Sequence, residues 1–264
     1  LPNYGLINNV GKAHLEGFGG IEGVKKGKGE LYDFIRESGG TIFINIDFDY
    51  LEEMSKGISN KITYGTSTAQ TAGRLISSEP FLVVKIDSDE AIGEIDTHLV
   101  GDYNLPNVLC AITIGKHFGV PEHKMVAAIE AYAPSNSRSQ LITKGTNTII
   151  LDAYNANPSS MKVAIENFAK LAGDHKIVML GAMMELGDHS SAEHLALLEL
   201  IASYSFTYVV LVGDDFLAHQ NAAPQFIYFK TTAEAKAWLT EKNPTHAQLL
   251  IKGSRSMQME TVLS

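Results

Sequence analysis

Cysteine is nearly absent: the chain of 264 residues holds one, Cys110, so no internal disulfide can form. Its run, Val108-Leu109-Cys110-Ala111-Ile112, is apolar, which makes it a core residue and a reducing compartment the expectation. Long apolar stretches are missing as well. None approaches the roughly 20 residues that span a bilayer, and Leu1-Pro2-Asn3-Tyr4 is no signal peptide, so membrane insertion is not expected. Positive charge is in deficit, 21 Lys and Arg against 30 Asp and Glu for a net charge of -9. A phosphate backbone selects a basic face, so nucleic acid is not an expected partner. None of the pairs Gly11-Lys12, Gly27-Lys28 and Gly115-Lys116 is followed by Ser or Thr. The ATPase phosphate loop, which needs that hydroxyl for Mg²⁺, is therefore not encoded here. An initiating Met is lacking too, and Tyr4 to Val10 reads as a buried strand with nothing before it to cover it, so a fragment is expected.

What is present is a chain long enough for two domains of ordinary size. In the first half the hydrophobic pattern predicts a strand at Leu6 to Val10, a helix at Glu22 to Arg36 and a strand at Thr41 to Ile46, an alternation that means a largely parallel sheet. Short runs at Lys61 to Tyr64, Phe81 to Ile86 and Gly93 to Leu99 follow without long helices between them and suggest an antiparallel appendage; helices near Asn104 to Phe118 and Pro121 to Ala131 come next. Ala133-Pro-Ser-Asn-Ser-Arg138 is polar and aperiodic, so the boundary is drawn there, giving domains of residues 1–133 and 134–264. The second half alternates cleanly. Strands are predicted at Thr148 to Leu151, Ile177 to Leu180, Tyr208 to Val212, Phe226 to Phe229 and Leu249 to Ile251, with helices between most of them, which defines a Rossmann-like α/β domain. Thr231 and Glu234 make a capping pattern for one helix, with Trp238 and Leu239 on its inner face.

The chemistry concentrates where strands end. Asp152-Ala-Tyr-Asn-Ala-Asn-Pro158 joins a strand to a helix that starts with an Asn cap and Pro at its first position, and open α/β sheets bind ligands at this carboxyl edge. Lys252-Gly-Ser-Arg255 follows the last strand, where two cations suit a carboxylate. Taken alone, Lys28 reads as a solvated lysine beside Lys25 and Lys26 and Asn104 as a helix cap, while Glu185 and His194 fit a structural and a functional role equally well.

Taken in order, Asn8-Asn-Val-Gly-Lys-Ala-His-Leu-Glu-Gly-Phe-Gly19, the helix from Glu22 to Leu31, Asn104-Leu-Pro-Asn107, Arg138, Asp152 to Pro158, Gly181-Ala-Met-Met-Glu-Leu-Gly187 and Lys252 to Glu260 resemble the Mur ligases, ATP-dependent amide-forming enzymes of peptidoglycan synthesis. They resemble most the member that adds D-alanyl-D-alanine to UDP-N-acetylmuramoyl-tripeptide. The resemblance implies the later part of the family's central ATPase-type domain followed by a Rossmann-like C-terminal ligase domain, in a bacterial cytoplasmic monomer. It implies ATP and Mg²⁺ as cofactors, a carbamylated Lys28 that joins His14 as a metal ligand, and Asn104 and Asn107 at adenine. Arg138 is then expected at ATP phosphate, Asp152 at ribose, Tyr154, Asn155 and Asn157 at the incoming amino component, and Lys252 with Arg255 at a substrate carboxylate. Tyr103 stands where the family usually has His, Ala153 replaces a common Ser, Ala182 a common Asp, and Asn-Ser precedes Arg138 in place of Gly. Without the phosphate loop the chain alone is expected to be inactive. Rival readings are another amino acid or folate-glutamate ligase of the superfamily, and a binding module without turnover.

Overall fold

The computed structural model describes every residue except Asn136, a member of the expected linker, which lies outside the described residues. The chain forms two compact units, Leu1–Gly11 with Phe18–Ala133, and Lys12–Gly17 with Pro134–Ser264. Six residues from the first part of the sequence therefore belong to the second unit.

In order, the elements up to Ala133 are β1 (Tyr4–Leu6), α1 (Leu15–Phe18), α2 (Ile21–Ser38), β2 (Thr41–Asn45), α3 (Asp49–Met54), β3 (Asn60–Gly65), β4 (Thr71–Ser77), β5 (Val83–Ile86), β6 (Glu94–Asp96), α4 (Leu105–His117) and α5 (Glu122–Ala131). The six strands form one sheet in sequence order. Pairing is parallel from β1 through β4 and antiparallel from β4 to β6. The Lys61 to Tyr64 run, expected in an antiparallel appendage, is thus a parallel strand, because α3, too short for a clear periodic signal, supplies the crossover from β2. The first strand is shorter than expected, ending at Leu6, and its Tyr4 is exposed.

Strand β2 is buried on both faces, which explains its unbroken apolar sequence. Ile42 and Ile44 pack with Tyr32 and Ile35 of α2 and Leu51 of α3. Phe43, pointing the other way, packs with Val108, Leu109 and Ile112 of α4. Cys110 lies in this second cluster.

The second part of the chain carries β7 (Gln140–Lys144), β8 (Asn147–Asp152), α6 (Pro158–Lys170), β9 (Lys176–Gly181), α7 (Ser190–Ala202), β10 (Tyr208–Val212), α8 (Asp214–Leu217), β11 (Ile227–Phe229), α9 (Thr232–Lys242) and β12 (Gln248–Lys252). Its sheet runs β11-β10-β9-β12-β8-β7. All pairings are parallel except that of β7 with β8. Edge strand β7, polar and only half-buried, gave no hydrophobic run to read. One face of the sheet (Ile149, Leu151, Ile177, Met179, Val210, Leu249, Ile251) packs with Ala235, Trp238 and Leu239 of α9. Alternate residues such as Ile150, Val178 and Leu250 are equally buried on the opposite face. Both helix starts predicted from sequence form reciprocal capping boxes, Asn157 with Ser160 in α6 and Thr231 with Glu234 in α9. Together the two sheets make an α/β fold with mainly parallel pairing.

Candidate functional site

In the second unit the carboxyl ends of β8 and β12 lie side by side, with Lys252 in register with Asp152. Lys252 is 2% exposed, and its ammonium donates to Asp152 Oδ2 at 2.5 Å and to the Asn155 carbonyl at 3.1 Å. The other oxygen, Asp152 Oδ1, accepts from the Ser139 backbone N–H at 3.0 Å. Two residues expected at different ligand groups thus form one buried, hydrogen-bonded pair. Lys252 ties the Asp152–Asn157 connection to the end of β12, while Arg255 is exposed and pairs with Glu260 at 2.8 Å.

Arg138 lays its guanidinium over the ring of Tyr154, 3.8 Å from the centroid, and the Tyr154 N–H donates to the Ser137 carbonyl at 3.1 Å. Stacking engages the face of the guanidinium and leaves its N–H fork at the edge, where a planar or phosphate oxyanion binds. Among the described residues the guanidinium makes no ion pair. Asn155 is exposed, with its side-chain oxygen accepting from the Ala156 N–H at 2.8 Å. Asn157 is occupied as the cap of α6: its side chain accepts from the Ser160 N–H at 2.9 Å.

The loop after β9 and the helix α7 that follows it hold one more of the singled-out residues each. His194 is fully buried and works inside the fold: its Nε2 accepts from the Met183 N–H at 3.1 Å, and its Nδ1 donates to the Ser190 carbonyl at 2.8 Å. Loss of water around the ring pushes its pKa below the ordinary value. Glu185, at φ 61°, meets His14, at φ 57°, through a contact between the carboxylate and Nδ1. Two non-glycine residues in the left-handed region, touching one another, are a local cost that the surroundings sustain. The segment carrying His14 is fastened by three further contacts: the Lys12 N–H to Ser159 Oγ at 3.1 Å, the Lys12 ammonium to Glu193 at 2.5 Å, and the Glu16 N–H to the Glu185 carbonyl at 3.1 Å. Sequence reasoning did not find this attachment. No periodicity or motif spacing encodes a pairing across some 170 positions.

In the first unit, Asn104 stands at the start of α4 without capping it. Its amide donates to the Val100 carbonyl at 2.9 Å and its oxygen accepts from Asn107 at 3.0 Å. The two amides expected at adenine are therefore linked to each other. Lys28 lies on the exposed side of α2 and donates to the Asn9 carbonyl at 2.8 Å. Partial loss of water lowers its pKa from the ordinary lysine value, the direction that exposes a neutral amine.

No group of three or more His, Cys, Asp and Glu forms a ready-made metal centre among the described residues. The His14–Glu185 pair nevertheless fits one side of such a centre. A neutral ring with its proton on Nδ1, against the carboxylate, would leave the Nε2 lone pair for a metal.

Comparison with known proteins agrees with this architecture. The Mur ligase middle domain matches residues 1–115 and the Mur ligase glutamate ligase domain residues 137–255. The chain belongs to the Mur ligase family. Among curated proteins, the UDP-N-acetylmuramoyl-tripeptide–D-alanyl-D-alanine ligase of Haemophilus influenzae is 30% identical over 272 residues, covering 99% of this chain and 58% of that protein. The same enzyme of Escherichia coli is 29% identical over 269 residues, covering 99% and 59%. Among solved structures, MurF from Acinetobacter baumannii superposes with a TM-score of 0.85 at 26% identity, over 99% of this chain and 59% of that one. The fold is also that of MurF from Thermotoga maritima, solved in complex with ADP, at a TM-score of 0.83 and 20% identity, over 99% and 61%. The chain thus spans a little under three fifths of the length of these curated relatives.

Proposed function

We propose that this chain is part of an ATP-dependent ligase that joins D-alanyl-D-alanine to UDP-N-acetylmuramoyl-tripeptide in peptidoglycan synthesis, in the bacterial cytoplasm and as a monomer. The observation that carries the reading is the match to curated ligases of this specificity along 99% of the chain. The reaction transfers the γ-phosphate of ATP to the tripeptide carboxylate, and the amine of the dipeptide displaces phosphate from the acyl phosphate. Mg²⁺, when bound, supplies positive charge against the crowded phosphate and carboxylate oxygens.

The residues take the following parts in this reading. Arg138, held flat on Tyr154, presents a preorganised fork to ATP phosphate. Asp152 takes the ribose with the lone pairs that Lys252 and Ser139 leave unused, and the buried Lys252 fixes the loop from Tyr154 to Asn157 against which the amino component lies. Arg255, exposed, meets the substrate carboxylate. Asn104 and Asn107 read the adenine edge as a linked pair of amides. Lys28, with its lowered pKa, reacts with CO₂ as the free amine; the resulting carbamate offers the hard oxygens that Mg²⁺ prefers, with His14 as a further donor.

The test is phosphate release from ATP in the presence of Mg²⁺ and UDP-N-acetylmuramoyl-tripeptide, measured for the 264-residue chain and for the complete product of its gene. The complete product is expected to release phosphate only with D-alanyl-D-alanine, and the chain alone to release none, because it has no Gly-Lys-Ser/Thr loop. Release driven by a single amino acid would reassign the substrate within the family. Nucleotide binding without any release from either protein would favour the binding module.

A further inference from the structure

We propose that Glu185 is a positioning residue for His14, fixing the imidazole in the tautomer that carries its proton on Nδ1 so that Nε2 is presented as the donor to a divalent cation. The inference rests on the reading of His14 as a metal ligand, and it adds a residue to which no role was given. A carboxylate only accepts hydrogen bonds, so a neutral ring whose Nδ1 meets Glu185 must hold its proton there. A histidine ligand is commonly oriented in this way, by a carboxylate on the ring nitrogen opposite the metal.

The surroundings favour positioning over a chance surface contact. Both side chains are more than half exposed, so the attraction between them is by itself weak. Even so, both backbones sit in the left-handed region that only their neighbours can sustain. The Glu16–Glu185 backbone hydrogen bond joins the start of α1, two residues after His14, to the loop after β9 independently of either side chain, while Lys12, through Ser159 and Glu193, holds the residues just before His14. The scaffold therefore delivers the carboxylate to Nδ1.

The test is nitrogen-15 imidazole NMR of the chain labelled at histidine, at about pH 8 where an ordinary imidazole is neutral, with His14 assigned by the resonance lost in His14→Gln. The expected result is an Nδ1–H tautomer in the unmodified chain. Glu185→Gln, which keeps an accepting oxygen, should retain it, and Glu185→Ala should shift the ring toward the Nε2–H form usual for an exposed imidazole. Because the Glu16–Glu185 backbone bond survives both changes, the variants should melt close to the unmodified chain. An Nε2–H tautomer at the outset, or no change in Glu185→Ala, overturns the inference. Added Mn²⁺ separates this outcome from the ligand reading: it should broaden the His14 resonances, with about tenfold or more weaker affinity in Glu185→Ala. A tautomer that switches as expected with no Mn²⁺ broadening supports the positioning role and removes His14 from the metal site.

Discussion

At the residue scale, buried polar groups decide more than the exposed ones. Asp152→Asn leaves the Lys252 ammonium, 2% exposed, without its counter-charge, and breaking a buried pair in this way costs about 3–5 kcal/mol. Urea unfolding should show that loss, and the double variant Asp152→Asn with Lys252→Met should recover much of it by removing the stranded charge. If the two single costs simply add, the pair is not coupled. His194 gives a pH signature. Its folded pKa lies below the ordinary 6.5, so between the two values the unfolded chain holds the extra proton. Its contribution is complete above about pH 6.5 and fades as pH falls through the folded value. The melting temperature of the unmodified chain should therefore drop more steeply on acidification than that of His194→Gln, and parallel curves would show that His194 does not control it. The chemical types of these residues were visible in the sequence, but their partners were not. Lys252 and Asp152 are 100 positions apart and meet only because β12 is inserted next to β8.

At the scale of elements, legibility followed burial. β8, β9, β10 and β12 are buried on both faces and announce themselves as apolar runs, whereas β4 and β7, largely exposed or half-buried, carry no such pattern. Helix α2 shows what periodicity does not report. A Cβ added at Gly23 would lie 1.7 Å from the Phe18 backbone oxygen, and one at Gly27 would lie 2.6 Å from the Phe18 ring. The ring can swing aside, but the carbonyl is fixed by the turn into the helix. Gly27→Ala should thus be tolerated, while Gly23→Ala should force Phe18 off α2 and lower the melting temperature clearly further. Equal melting of the two would mean that the turn gives way freely. At the start of α6, Asn157→Ala removes half of the capping box, for about 1 kcal/mol in unfolding free energy. If activity in the complete gene product falls no further than this loss of stability predicts, Asn157 is a cap and not a ligand group.

At the scale of the whole molecule, the order of residues along the chain is not the order of the folded units. The boundary read at the linker places every residue up to and including Ala133 in the first domain, yet Lys12–Gly17 is built into the second unit. Composition and periodicity could not reveal this, because the segment is too short to carry a pattern and its anchors, Ser159, Glu185 and Glu193, come from distant parts of the sequence. Each unit has hydrophobic clusters of its own, so calorimetry should resolve two unfolding transitions. Phe168→Ala, in the core of the second unit, marks the transition that belongs to it, at a cost of about 3–5 kcal/mol. Leu15 then gives the decisive comparison. It is 4% exposed and lies inside the transplanted segment, so Leu15→Ala should cost about 2–5 kcal/mol. If the segment is an integral part of the second unit, that loss falls on the transition marked by Phe168→Ala and leaves the other in place, although Leu15 sits near the beginning of the chain. A shift of the other transition would return the segment to the first unit and remove the scaffold on which His14 and Glu185 are held.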